Sequence, residues 1–441
     1  MVEHIGYDEL PVRRFEGFPR GGAIAAVILL VLGIIAFVIA LVTDPARAWR
    51  AYLHSWLFFT SIASGAVMLA GVVTIARGLW SQPIRRIALS FVAFLPIAWV
   101  LLIPLVIVSG AYIFPWAHGG GAAAGEHLAL PAGKHIWLSV PFVAVRNLVL
   151  FGAFTGVALA FAYWSLRPDV GVLKEDKVTT QLDVWDRFTR GWLGAEREEI
   201  RASHNTATLA PIMALLYALS LSMVAFDFVM SLEPEFKSTL IGGYFFMGAF
   251  LGGIAATALV TTAYRRVLEL ENAILAGNYH DLGKLHFAFN VFWTYLFWAQ
   301  FIVIWYGLLP HEQTFVIHRF TSPNGAIAIA VLFCLFVIPF FGLLGVKPKR
   351  TPEIQAVFNI VVLVGLWLER WLLTYPSWYP KTRLWLGWQE IGVSLAFAGL
   401  LLGALLWFAS RFPILQLWRP VAELELLGRA ENAPGEEVTQ P

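Results

Sequence analysis

Charge is what this sequence has least of. Only 14% of its 441 residues are Asp, Glu, Lys or Arg, against about 25% in a soluble domain, so an ordinary water-exposed globule is excluded. The net charge of +2 is too small to serve as a footprint for nucleic acid. Cysteine is nearly missing as well. Cys334 stands alone within an apolar run, which rules out an internal disulfide and a cysteine-ligated iron–sulfur cluster.

Long apolar runs are what the sequence has instead. A membrane-crossing helix needs about 20 apolar residues, and ten segments qualify: 22–43, 54–77, 86–112, 137–164, 205–231, 239–264, 285–307, 324–346, 355–373 and 387–410. The fifth and sixth are joined only by SLEPEFK, so they form an antiparallel pair of spans. Gly248 and Gly252, four apart in the sixth, leave one helix face nearly bare for a neighbour. The first run lacks a small-residue cleavage site and reads as a retained helix. The expected fold is all-α and polytopic, with about ten transmembrane helices.

The loops set the expected orientation. Basic residues cluster at 13–20, 77–86, 167–201, 265–284, 347–350 and 411–429, while few lie on the other side; the split is twenty-two against seven. Basic loops stay in the cytoplasm, so both termini are expected there. Residues 1–21 are then a cytoplasmic N-terminal segment, 22–410 the membrane domain and 411–441 a cytoplasmic tail. The loop 165–204 is expected to hold a short surface helix with solvated ends and to join halves at about 54–231 and 239–373. Spans 2–5 and 6–9 would form two parallel four-helix bundles, with spans 1 and 10 flanking them. Arg85-Arg86 and Arg265-Arg266 at matching places hint at a duplication. A reporter that works only outside the cytoplasm should be active when fused at Gly120. Activity from a fusion near Lys177 instead would overturn this topology.

Haem ligation also finds no support. His54 lies near the outer end of span 2, His204 and His286 at inner helix starts, and His4, His280, His311 and His318 in connections. No two are placed to hold one haem within the membrane. Loop 113–136 offers His118, Glu126, His127 and His135, but the Gly/Ala tract between the first two histidines denies them a rigid metal cage. We read it as a docking loop for an extracytoplasmic partner. Trp49, Tyr52 and Trp56 read as interfacial aromatics. Pro96 and Pro104 are expected to bend span 3.

Ionisable groups inside spans are costly and mark function or pairing. Arg146 lies two turns into span 4 beside Asn147. Asp227 is about one turn from the outer end of span 5, and Glu369-Arg370 lies near the end of span 9. Asn290, Gln300 and Asn359 add polarity. Residues 213, 217, 220 and 224 share a helix face with Asp227, which makes Tyr217 and Ser220 polar steps toward it. Asp227, Arg146, Glu369, Tyr217, Ser220 and Arg370 are thus the candidates for a proton path or a quinol site. Arg146 pairing structurally, and Asp227, Glu369 and Arg370 being merely interfacial, is the competing view. No catalytic residue and no metal ligand is assigned.

Several stretches carry a resemblance: RAWRAYLHSWLFFTSIASGAVM at 47–68, RGLWSQPIRRIA at 77–88, PFFGLLGVKPKR at 339–350 and RLWLGWQEIG at 383–392. The most specific is HFAFNVFWTYLFWAQFIVIWYGLLPHEQTFVIHR at 286–319. The chain resembles the NrfD/polysulfide-reductase-type membrane subunits, most nearly the second, smaller one of bacterial alternative complex III. That resemblance implies a subunit of a quinol:cytochrome c type oxidoreductase in the bacterial cytoplasmic membrane. It implies no cofactor in this chain, and haems and iron–sulfur clusters in extracytoplasmic partner subunits. A sister NrfD-like subunit would be the main site of quinol oxidation, with menaquinone or ubiquinone as substrate. Three roles follow: scaffold with a proton route, quinol-binding subunit, or, if the resemblance misleads, an independent secondary transporter.

Overall fold

The computed structural model describes residues 14–117, 134–175, 183–379 and 383–424. Among these residues there is no strand, and ten helical segments are long and apolar enough to cross a membrane. They are span 1 (Arg20–Thr43), span 2 (Pro45–Ile75), span 3 (Leu79–Val108), span 4 (Val140–Glu175), span 5 (Ala195–Leu232), span 6 (Ile241–Val267), span 7 (Ala276–Gly307), span 8 (Gly325–Gly342), span 9 (Pro352–Trp378) and span 10 (Trp388–Arg411). Residues 118–133, which include His118, Glu126 and His127 of the expected docking loop, lie outside the described residues, as do 1–13, 176–182, 380–382 and 425–441.

Neighbour relations group the spans. Spans 2, 3, 4 and 5 touch in a closed ring, as do spans 6, 7, 8 and 9. Span 2 lies against span 6 to join the rings, and span 1 packs on span 10 at the side of spans 2 and 3. The join depends on glycine. A Cβ on Gly253 would fall 2.1 Å from the Gly65 carbonyl carbon and 2.2 Å from the Ala66 nitrogen, so two backbones touch with no side chain between them. The expected bare face at Gly248 and Gly252 is therefore displaced by one residue. Gly252 meets Leu366, and Gly248 faces Trp293 and Arg370.

Several helices overrun their expected ends for one reason. An apolar run seems to stop at its first charge, but a paired charge can stay inside. Span 4 continues through Arg167 and Asp169, and span 5 begins before Glu198. Arg167 binds Glu198 at 2.7 Å, and Asp169 takes the guanidinium of Arg86 at 2.6 Å. The segment 165–204 is thus largely helix rather than solvated loop. Its short helix, Asp183–Phe188, is present but buries Trp185 completely. The two Arg-Arg pairs also differ: Arg85 and Arg86 are buried in ion pairs, whereas Arg266 is exposed. They lend no support to a duplication.

Span 2 begins at Pro45, so RAWRAYLHSW is helix inside the bundle and not an interfacial approach. Tyr52 and Trp56 are buried, donating to the Leu101 and Ala98 carbonyls of span 3 at 2.8 Å each. Pro96 occupies the first turn of the helix Leu95–Tyr112, where no N–H is needed. Pro104 lies inside that helix, one turn beyond the carbonyls that Tyr52 and Trp56 hold.

The segment after span 10 is a strap and not a free tail. Phe412, Ile414, Leu415 and Trp418 are buried. The Leu417 N–H donates to Asp169, the Trp418 indole to the Ser165 carbonyl, and Val421 N–H to Ser203. Glu423 pairs with Arg85 at 2.6 Å. This segment ties together spans 3, 4 and 5 at the predicted inner end.

Candidate functional site

Arg146 and Asp227 meet between spans 4 and 5. The guanidinium engages both carboxylate oxygens, with Nε to Oδ2 at 2.7 Å and Nη2 to Oδ1. Asn147 donates to Oδ2 at 2.5 Å, and Arg146 also donates to the Trp137 carbonyl at 2.9 Å. The Arg146 guanidinium lies over the rings of Trp137 and Phe142. Asp227 is fully buried. Residues 213, 217, 220 and 224 are buried along the same face of span 5, but Tyr217 is committed to the Phe246 carbonyl at 2.6 Å and so stitches span 5 to span 6. Ser220 is buried with its hydroxyl unpartnered. Every strong acceptor position on Asp227 facing these donors is taken, which is the geometry of a clamp.

Glu369 and Arg370 form a second, separate pair. Arg370 Nη1 donates to Glu369 Oε2 at 2.5 Å, and Nη2 to the Phe245 carbonyl at 3.2 Å. Its guanidinium also stacks 3.9 Å from the Phe245 ring centre. Both residues are about 1% exposed, so neither side chain lies on the surface of the chain. Gly248 faces them: a Cβ there would lie in ordinary contact, 3.4 Å from Arg370 Nη2 and 3.5 Å from the Trp293 ring. The Tyr244 hydroxyl reaches the Glu369 carboxyl and takes the Trp293 indole N–H, so the pair is held by a third residue. No ion pair or hydrogen bond among the described residues links this pair to Arg146 and Asp227.

Glu369 stands in the wall of a cavity of about 400 Å³ enclosed by spans 6–9 and the helix Pro310–Phe320. Tyr244, Trp293, Phe297, Phe301 and Phe315 supply aromatic walls, and Gln300 and Arg319 supply polar groups. Trp298 and Phe320 are exposed at its rim, so it opens toward the lipid-facing side.

Arg319 closes the predicted outer end of this cavity. Although it lies between spans 7 and 8, it is only 3% exposed. It donates to the Leu373 carbonyl at 2.7 Å, to Ser377 at 2.8 Å and to Glu233 at 3.0 Å. Burial alone would raise the Glu233 carboxyl. The charge of Arg319 and hydrogen bonds from His318, Ser377 and Arg319 outweigh burial and hold it at about 2. The clamp is therefore ionised at any working pH, and it pins the 310–320 helix across the cavity.

Two histidines missed as interior groups complete the picture. His54 and His286 are both wholly buried; neither ring nitrogen of His54 has a hydrogen-bond partner, whereas His286 meets the Asn359 side chain. His54 packs edge-on against Trp367, with Tyr375 beside it. Tyr375 donates at 2.8 Å to Glu390, which is held by Arg47 through two 2.9 Å bonds. Among the described residues no three His, Cys, Asp or Glu side chains gather in the way a metal ion requires.

No protein-family model matches the chain, and comparison with curated proteins finds no match.

Proposed function

We propose that the chain is an integral membrane subunit of a quinol-oxidising complex of the alternative complex III type, and that its cavity receives the quinol ring. The carrying observation is Glu369, a buried carboxylate beside the Tyr244 hydroxyl in the wall of an aromatic cavity that opens at Trp298 and Phe320. Ligand pockets typically measure about 300–1,000 Å³ and combine apolar walls with few polar groups, and this one has that make-up. Oxidising a quinol requires a group that hydrogen-bonds its hydroxyl and takes the proton. Glu369 can do both, with Arg370 holding its other oxygen. The aromatic walls suit the flat ring, and the rim lets an isoprenoid tail lie among lipid chains.

The two rings of helices suit the two four-helix sets that the resemblance implies, and the chain also serves as scaffold. Electrons would leave to cofactors in partner subunits: a sister NrfD-like protein, a multihaem cytochrome and an iron–sulfur protein. This places the protein in the bacterial cytoplasmic membrane with both termini inside.

A photoreactive quinone analogue added to the assembled complex should label this chain within 293–301 or 315–321. Glu369→Gln should slow quinol oxidation at least tenfold, roughly the lower end for losing an acid–base group, with complex yield unchanged. Labelling confined to a partner subunit, together with an unchanged rate, would reject the quinol site.

A further inference from the structure

Spans 1 and 10 touch through backbone. A Cβ on Gly33 would fall 2.1 Å from the Ala396 nitrogen, and one on Gly399 would fall 2.7 Å from the Ala26 carbonyl oxygen. Beside that contact, one face of the pair stays open toward the predicted inner end. Gly403 has nothing within 4 Å of its missing Cβ. A groove of about 470 Å³ lies there, with Ala93 and Ile97 of span 3 on its third side. Its lining is entirely apolar and aromatic, and Phe18 and Trp407 stand half-exposed at its rim. Gly399 to Trp407 is eight residues, or about 12 Å of helix. One leaflet contributes roughly 15 Å to the hydrocarbon core, so the groove covers most of a single leaflet.

The two helix faces that line the groove both end in arginine. Span 1 presents Ala23, Ala26 and Leu30 to it, and Arg20 precedes Ala23 by three residues on the same face. Span 10 presents Gly403 and Trp407, and Arg411 follows four residues on. Both arginines are exposed. Among the described residues neither is in an ion pair. That sets them apart from Arg85, Arg86 and Arg167 at the same end, each buried against a carboxylate. Of the acids nearby, Glu16 lies close to Arg14, and Asp186 holds Lys174 at 2.6 Å. Arg14 is also near enough to Arg411 for the two charges to repel. The negative end of span 10 is already covered. Phe15 N–H donates to the Ala409 carbonyl at 3.0 Å, Arg14 to Ser410 at 3.3 Å and the Trp185 indole to Arg411 at 2.9 Å. Positive charge therefore gathers at one mouth of an apolar groove, and such charge at a membrane surface attracts anionic lipid.

We propose that this groove binds an anionic phospholipid of the inner leaflet, with one acyl chain between spans 1 and 10 and the phosphate against Arg20 and Arg411. A helix with its side chains is about 10–12 Å across, so 12 Å of it would need about twice the groove's volume. An extended acyl chain is slimmer and suits the wholly apolar lining. The arginines complement the headgroup, which a neutral lipid would leave unmatched.

The test uses the full chain in phosphatidylcholine vesicles that carry a trace of photoreactive lipid, with the reactive group in its tail. The probe is phosphatidylglycerol in one sample and phosphatidylcholine in the other, and peptide mass spectrometry locates the adducts. The phosphatidylglycerol probe should mark 23–30 and 399–407 at least fivefold more than the phosphatidylcholine probe, the order that one arginine near the surface supplies. Leu215 and Leu219, exposed on span 5, should be marked equally by both and serve as the reference. Arg20→Gln combined with Arg411→Gln should erase the headgroup preference. Gly403→Leu should fill the groove and lower its labelling severalfold with either probe, the reference unchanged. The arginine variant lies outside the packed contact and decides the matter where Gly403→Leu does not fold. Excess sodium phosphate should leave the adducts in place, because a free anion gains nothing from the apolar groove. Equal labelling by the two probes, a preference that survives the double arginine variant, or competition by phosphate would each overturn the lipid site. Groove labelling lost when the chain is in its assembled complex would assign the groove to a partner protein and overturn it likewise.

Discussion

Asp227→Ala should destabilise the purified protein by about 3–5 kcal/mol, because it leaves Arg146 buried and charged with no counter-ion. The pair is 8% and 0% exposed, and its two members lie on different spans, so the loss would fall on the contact between spans 4 and 5. Removing both charges is a different experiment. Arg146→Met combined with Asp227→Leu should recover most of the stability, since apolar residues of similar size can replace a buried ion pair at little cost. Thermal unfolding in detergent, followed by intrinsic tryptophan fluorescence, gives the comparison. Asp227→Asn should weaken the clamp less than alanine does. Complex that still assembles with it should keep its quinol oxidation rate and pH dependence. A shifted pH profile in that assembled complex would put Asp227 back on a proton path and overturn its reading as a clamp.

The second large effect is expected from adding one methyl group. In water, Gly→Ala within a helix is favourable by about 1 kcal/mol. At Gly253 the new Cβ would sit 2.1 Å from backbone of span 2, and backbone cannot swing aside as a side chain can. The spans must separate, so packing across the join of the two rings is lost and the net sign reverses. Gly253→Ala should cost about 1–3 kcal/mol or more by overpacking and lower the yield of folded protein. Gly156→Ala is the matched control: it lies within span 4 with nothing near the added carbon, and should be neutral or slightly stabilising. Equal behaviour of the two variants in a folded-yield assay would refute the close approach.

Much of this architecture could be read from the sequence because membrane helices are written in one dimension. Ten runs were visible as runs, and a charge inside one is conspicuous, which is why Asp227, Arg146 and Glu369 stood out. Their partners were less visible. Asp227 and Arg146 are 81 residues apart, and nothing local says that they meet, whereas Arg370 is adjacent to Glu369 and needed no such inference. Helix ends were misjudged wherever a charge is neutralised inside the fold, as with Arg167 and Glu198. Arg319 was hidden because its burial depends on the 310–320 helix folding back over span 9. Asn290 and Asn359 were conspicuous as polar intrusions, but nothing local tells that Asn359 meets His286 of another span.

The strap also bears on how the protein is made. Residues 412–424 leave the ribosome only after all ten spans have been synthesised. Until then Arg85 lacks Glu423, and Asp169 lacks the Leu417 N–H that shares it with Arg86. The ends of spans 3, 4 and 5 that the strap binds are consequently the last part of the membrane domain to be completed, whatever order the helices insert in. A message cut short a few codons past span 10 would yield a chain with every helix inserted and its inner face unsealed. Such a product would present unmatched charges at the membrane surface, where a quality-control protease can distinguish it from the finished protein.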